Sequence, residues 1–184
     1  MSAGAGAASS DVAAPLADLE TVTIKTGDGD ELVAPKSILA MSKFLHVMAE
    51  ADTLDEDEED GDGKLHVPNV KTPIMRKVIE FVNLYAANPL VDIPKPIQSD
   101  KMKDMVDEQF ATWVDDMDDD TLFETILAAN FLHMQVLLNL TCAKVATLMK
   151  GKSPEEIRKR FHIPNDFPPE ADEAILTRER DGSD

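Results

Sequence analysis

The sequence predicts an α/β fold in which a small sheet opens the chain and helices supply most of the remainder. Three observations carry this. Thr21 to Thr26 alternates apolar with polar residues, Asp28-Gly29 supplies a turn, and Leu32-Val33 resumes an extended run, which together read as a β-hairpin. Thr72-Pro73 has the cap-then-proline order that opens a helix, continued by Ile74, Val78, Phe81 and Val82. Two capping-box patterns, Thr121 with Glu124 and Ser153 with Glu156, start helices in the C-terminal half.

Taken in order, residues 1–20 are rich in Ala, Gly and Ser and offer too little bulky apolar surface to offset ordering entropy, so a disordered tail is expected. In the hairpin Val22 and Ile24 share a face. Ser37 is placed to cap a short helix carrying Ile38, Leu39 and Met41, and Phe44 to Met48 continues as a second apolar helix. Asp55-Glu56-Asp57-Glu58-Glu59-Asp60 is a run of acidic residues with no apolar anchor, and it predicts a mobile surface loop. Leu65-His66-Val67 suits a short strand. Asn88-Pro89 ends the helix begun at Thr72, and Pro89, Pro94 and Pro96 interrupt the next segment, before a second acidic cluster at Asp115 to Asp120.

The helix opened by Thr121 places Leu122, Phe123, Ile126 and Leu127 on one face, with Ala128-Ala129 allowing a neighbour close approach. Asn130 lies in the same stripe, where periodicity alone favours a role in ending the helix. The next helix, about Met134 to Met149 and stopped near Gly151, has one stripe of Met134, Leu138, Cys142, Val145 and Met149 and another of Val136, Leu140 and Ala143. Two apolar faces need two things to pack against: its own domain supplies one, and a partner is one candidate for the other. On that stripe Cys142 reads as a buried packing thiol. Ser153-Pro154-Glu155-Glu156 begins a short amphipathic helix with Ile157 and Phe161 four apart, ended by Pro164, and Pro168-Pro169 can open another. Such a tail is too small for a core of its own and must dock on the rest of the chain, on a partner, or on both.

Composition removes several function classes. The 184 residues, 43% of them apolar, suffice for one core, and 36 acidic against 18 basic residues leave a formal net charge of -18 that repels nucleic acid. With Cys142 the only cysteine, no intrachain disulfide or multi-cysteine zinc site exists, which suits cytoplasm and nucleus. No secretory leader or membrane-spanning run is visible. Phosphate-loop, dinucleotide-binding and nucleophile-elbow patterns are lacking, and His46, His66, His133 and His162 are widely separated. A calcium loop starting at Glu56 fails at its twelfth position, where Val67 replaces the bidentate carboxylate. No catalytic residue, cofactor or metal is therefore assigned.

The runs Thr121-Leu-Phe-Glu-Thr-Ile-Leu-Ala-Ala-Asn-Phe-Leu, Lys150-Gly-Lys-Ser-Pro-Glu-Glu-Ile-Arg-Lys and Asn165-Asp-Phe, together with Leu137-Leu138, Thr141-Cys142 and Val67-Pro68-Asn69-Val70, closely resemble the Skp family of S-phase kinase-associated adaptor proteins. The likeness runs from about Thr21 to Asp166. It implies a BTB/POZ domain over 21–149 and C-terminal F-box-binding helices over 150–184, hence an SCF ubiquitin-ligase adaptor that joins a cullin to F-box proteins and has no catalytic role. It further implies a cullin surface at Asn130 and Phe131, the latter lacking the family's usual phenol. F-box-facing positions fall at Leu138, Cys142, Val145, Ile157, Phe161 and Ile163. Pro169 matches a proline hydroxylated and glycosylated in some protist members. The family's Trp-Cys element has no match in the final Thr177-Arg-Glu-Arg-Asp-Gly-Ser-Asp, and Val106 stands where a tryptophan is usual. The alternative reading is an elongin-C-like or other BTB/POZ interaction module, which would not need a segment such as Ser153 to Phe167. Whether the free protein forms a homodimer is left open by the sequence.

Overall fold

The computed structural model describes residues 20–54 and 63–164; the expected N-terminal tail, the acidic loop, Pro169 and the final helix lie outside these residues. The hairpin forms as β1 (Thr21–Thr26) and β2 (Glu31–Pro35), antiparallel with Ile24 opposite Leu32 and Val22 opposite Ala34. Two helices, α1 (Ser37–Met41) and α2 (Lys43–Leu54), then carry the chain to β3 (Lys64–Val67), which pairs parallel to β1 and gives the strand order β2-β1-β3. A parallel pair requires such a crossover, and here α1 and α2 form it. Ile24, Leu32, Ala34, Leu65 and Val67 are buried toward the helices, whereas Val33 points outward, as the period of a strand demands.

The remaining helices among the described residues are α3 (Thr72–Ala87), α4 (Glu108–Asp115), α5 (Asp119–Phe131), α6 (Gln135–Met149) and α7 (Pro154–Arg160), with a 3-10 turn at Met102–Asp104. The central helix is α3, burying Ile74, Met75, Val78, Phe81 and Val82. Phe81 also anchors α4: its ring lies 5.9 Å from Phe110 and 5.5 Å from Trp113. Sequence periodicity does not reveal α4, because its eight residues are too short a window for the pattern to declare itself.

Three expected caps are relocated. Ser37 is the first residue of α1, and the preceding Lys36 makes no side-chain cap bond. Thr72 likewise sits inside α3; its hydroxyl lies 2.7 Å from that of Thr26 and donates to Asp30 Oδ2, while its backbone N–H donates to Asp28 Oδ2 at 2.7 Å. The hairpin turn thus supplies across space the carboxylate that satisfies an orphan donor of α3. The start of α5 is capped by Asp118, whose carboxylate accepts from Thr121 N–H at 2.7 Å, and Glu124 is turned away to Lys71. An aspartate is at least as good a cap as a threonine, and Asp119 and Asp120 in the first turn add to it by meeting the helix dipole.

The same turn explains Gly27. Its N–H donates to Val70 O at 2.9 Å, and a Cβ there would collide with the carbonyl oxygen of Pro68. Gly27→Ala is expected to destabilise the fold by about 2 kcal/mol or more through overpacking, lowering the melting temperature by roughly 5 °C or more. An unchanged calorimetric melting temperature would contradict this packing.

Candidate functional site

Two surfaces collect the residues singled out from sequence, and α5 connects them. The buried face of α5 consists of Leu122, Thr125, Ala128 and Ala129, so mostly small residues meet the core while Phe123 and Leu127, expected on the same face as Leu122, point out. Leu127 is 68% exposed, a large apolar side chain left in water. Asn130 is exposed within the last turn and does not end the helix. That task falls to His133, at φ 53, with Met134 N–H reaching back to Ala129 O at 2.9 Å and closing the helix in the Schellman manner.

Phe131, half-buried, packs against Phe44 of α2 with the rings tilted by 49° and 4.6 Å between their centroids. The corner is pinned beneath by Ser42, whose buried hydroxyl donates to Leu132 O at 2.7 Å and accepts from Leu45 N–H at 3.1 Å. Beside Phe131 lies a concavity of about 350 Å³ lined by Val70, Ile74, Leu127 and Ala128, with the Lys71–Glu124 ion pair (2.6 Å) at its rim. Glu124, through its hydrogen bond and its charge, holds the Lys71 ammonium above its ordinary pKa. Asn130 borders a second, smaller concavity with Lys43 and His133. This corner is apolar in the middle and polar around, an arrangement that suits a protein-binding surface.

The second surface is built on α6 and α7. Leu137, Leu140, Thr141, Ala143 and Thr147 of α6 are buried, and the threonine hydroxyls are satisfied by their own helix. The opposite stripe, Leu138, Cys142, Val145 and Met149, is half-buried or exposed. The expected two-faced helix is present with two changes at its start: Met134 belongs to the core as the residue preceding α6, and Leu137 is buried where Val136, expected on that face, is only half-buried. Cys142 is exposed and not the buried thiol expected, because its stripe faces away from the core. Partial burial still pushes the thiol above its ordinary pKa.

Beyond the left-handed Gly151 (φ 71), Ser153 and Glu156 form the expected capping box, with Glu156 N–H donating to Ser153 Oγ at 3.2 Å and Ser153 N–H to Glu156 Oε2 at 2.8 Å. Ile157 and Phe161 are half-buried and Ile163 is 50% exposed. Phe161 meets Phe123 of α5 edge-on, 5.6 Å between centroids. The surface residues that sequence reasoning missed are thus Phe44, Phe123 and Leu127. The available signal was the spacing of Thr125, Ala128 and Ala129, which marks the closely packed side of α5.

The capping carboxylates give a pH prediction. Glu156 is held below its ordinary pKa first by the Ser153 backbone N–H, and Asp118 by the Thr121 hydroxyl and N–H. A carboxylate depressed in the folded state contributes stability above its unfolded pKa and loses it as pH falls through the folded one. The amide resonances of Ser153 and Thr121, whose N–H groups donate to these carboxylates, should therefore titrate with midpoints below those of free glutamate and aspartate; ordinary midpoints would show that these caps are not formed.

Among the described residues no group of three His, Cys, Asp or Glu side chains is placed to hold a metal, and no helix is long and apolar enough to cross a membrane. Comparison with known proteins finds two family matches: residues 20–87 to the Skp1 family tetramerisation domain and residues 135–180 to the Skp1 family dimerisation domain. A relative named S-phase kinase-associated protein 1 homolog, from Tetrahymena thermophila, is 42% identical over 146 residues, covering 79% of this chain and 81% of its own. A Skp1-related protein of Caenorhabditis elegans is 35% identical, covering 84% and 86%. The E3 ubiquitin ligase complex SCF subunit sconC of Arthroderma otae is 34% identical, covering 84% and 89%.

Proposed function

The chain belongs to the Skp1 family, and from that premise we propose that it is the adaptor subunit of an SCF ubiquitin ligase, linking a cullin scaffold to F-box substrate receptors and performing no chemistry itself. The observation that carries this reading is the two-faced α6, whose outward stripe of Leu138, Cys142 and Val145 has an apolar face to offer and stands next in sequence to the capped helix α7. On this reading the F-box surface comprises that stripe with Ile157, Phe161 and Ile163. On the same reading the cullin surface comprises Asn130 and Phe131, and the exposed Leu127 on the same helix supports an apolar contact there. Phe131 lacks a phenol, but its ring is already ordered by Phe44, so apolar contact takes the place of a hydrogen bond.

The elongin-C-like alternative needs no segment after α6, whereas the family match here continues to residue 180. Affinity purification of the tagged chain with mass spectrometry of the captured species tests the proposal. A cullin and several F-box proteins are expected among them; recovery of neither would refute it.

A further inference from the structure

We infer that Asp119 and Phe123 of α5 are positioning residues that hold α7 in place before any partner arrives, an inference that rests on the reading of α7 as part of the F-box surface. The helix α7 has seven residues, well short of the length at which a helix is stable alone in water. Its capping box satisfies its first turn but does not fix its place against the body. Two contacts to α5 do. Arg160 Nη2 lies 2.9 Å from Asp119 Oδ1, and the Phe161 ring meets Phe123 edge-on at an interplanar angle of 77°.

Asp119 and Phe123 stand four residues apart and so share one face of α5, while Arg160 and Phe161 are consecutive at the end of α7. The Arg160 guanidinium is also 6.0 Å from the centre of the Phe161 ring, so ion pair and aromatic pair form one cluster. Asp119 is available for this role because Asp118 caps α5. Phe123, at 39% exposure, is left outside the core by the inward turn of Thr125 and Ala128. The chain then leaves α7 through His162 at φ 53, with Ile163 N–H bonded to Arg158 O at 2.9 Å, which fixes where Ile163 emerges.

The consequence is preorganisation. An F-box partner meeting a docked α7 is spared the entropy of ordering it, so loss of the contacts to α5 should lower affinity without removing a single partner contact made by Asp119. The test uses the full chain with Asp119→Arg, Arg160→Asp, the two combined, and Phe123→Ala. Amide hydrogen exchange over 154–163 is measured in the free protein, and affinity by titration with a recombinant F-box domain and with a cullin N-terminal fragment. Asp119→Arg should speed exchange in α7 and weaken F-box binding about fivefold, and Phe123→Ala about tenfold (1.4 kcal/mol), with cullin affinity unchanged. Combining Asp119→Arg with Arg160→Asp should restore both readouts, which a general loss of stability would not. Failure of the pair to rescue, or faster exchange with undiminished F-box affinity, would overturn the positioning role. If the unaltered chain bound no F-box domain while exchange still responded, the reading of α7 as an F-box surface would fail and the docking contacts would stand.

Discussion

Deleting residues 153–184 is expected to abolish binding to an F-box protein while leaving cullin binding within about threefold of the full chain. The two halves of this result have separate causes. The proposed F-box surface loses Ile157, Phe161 and Ile163 together, and an aromatic anchor alone contributes about 2 kcal/mol or more, so the combined loss exceeds about a hundredfold in affinity. Phe131 and Asn130, by contrast, are held by Phe44, Ser42 and the turn at His133, none of which belongs to the deleted segment. The truncated chain also leaves Phe123 without Phe161, so more apolar surface meets water and some aggregation of the free form should accompany the deletion. Parallel calorimetric titrations with each partner decide the matter, and retained full-strength F-box binding would contradict the assignment.

The second large effect is expected at the other corner. Asn130→Lys places a charge on an exposed position with no burial cost, and should weaken cullin binding by roughly tenfold to a hundredfold with the melting temperature and F-box affinity unchanged. Phe131→Ala behaves differently, since its ring is packed on Phe44 at 4.6 Å: it should lose cullin affinity and also about 1–3 kcal/mol of stability. The contrast separates a contact residue from one that both contacts and supports. Unchanged cullin affinity in folded Asn130→Lys would show that the corner is not the cullin surface.

Much of this organisation was legible in the sequence because it rests on local chemistry. The hairpin comes from alternation around Asp28-Gly29, and the Ser153–Glu156 box formed where its residues stand, since both signals are complete within a few residues. The two-faced character of α6 was visible as two stripes, and its outward one is the proposed F-box surface.

The features that escaped the sequence depend on distant partners. Thr72 reads as a cap until Asp28, forty-four residues earlier, is found supplying the carboxylate. Thr121 and Glu124 satisfy a capping-box pattern equally well, but Asp118 caps first and Lys71 claims Glu124. Around α5 the inward positions include the small Thr125, Ala128 and Ala129 while Phe123 and Leu127 turn outward, a division that hydrophobicity alone does not reveal. Cys142 was misplaced for the same reason, since a stripe on a helix says nothing about which side the core lies.

On the proposed reading one chain holds two partners at once on surfaces joined by α5, where Phe123 and Phe131 are separated by about 12 Å along the helix axis. The most direct measurement is the mass of the assembly formed when the full chain is mixed with saturating F-box protein and cullin N-terminal fragment, read by sedimentation or light scattering. A single ternary complex with one copy of each is expected, in which neither partner displaces the other. Two mutually exclusive binary complexes would contradict it.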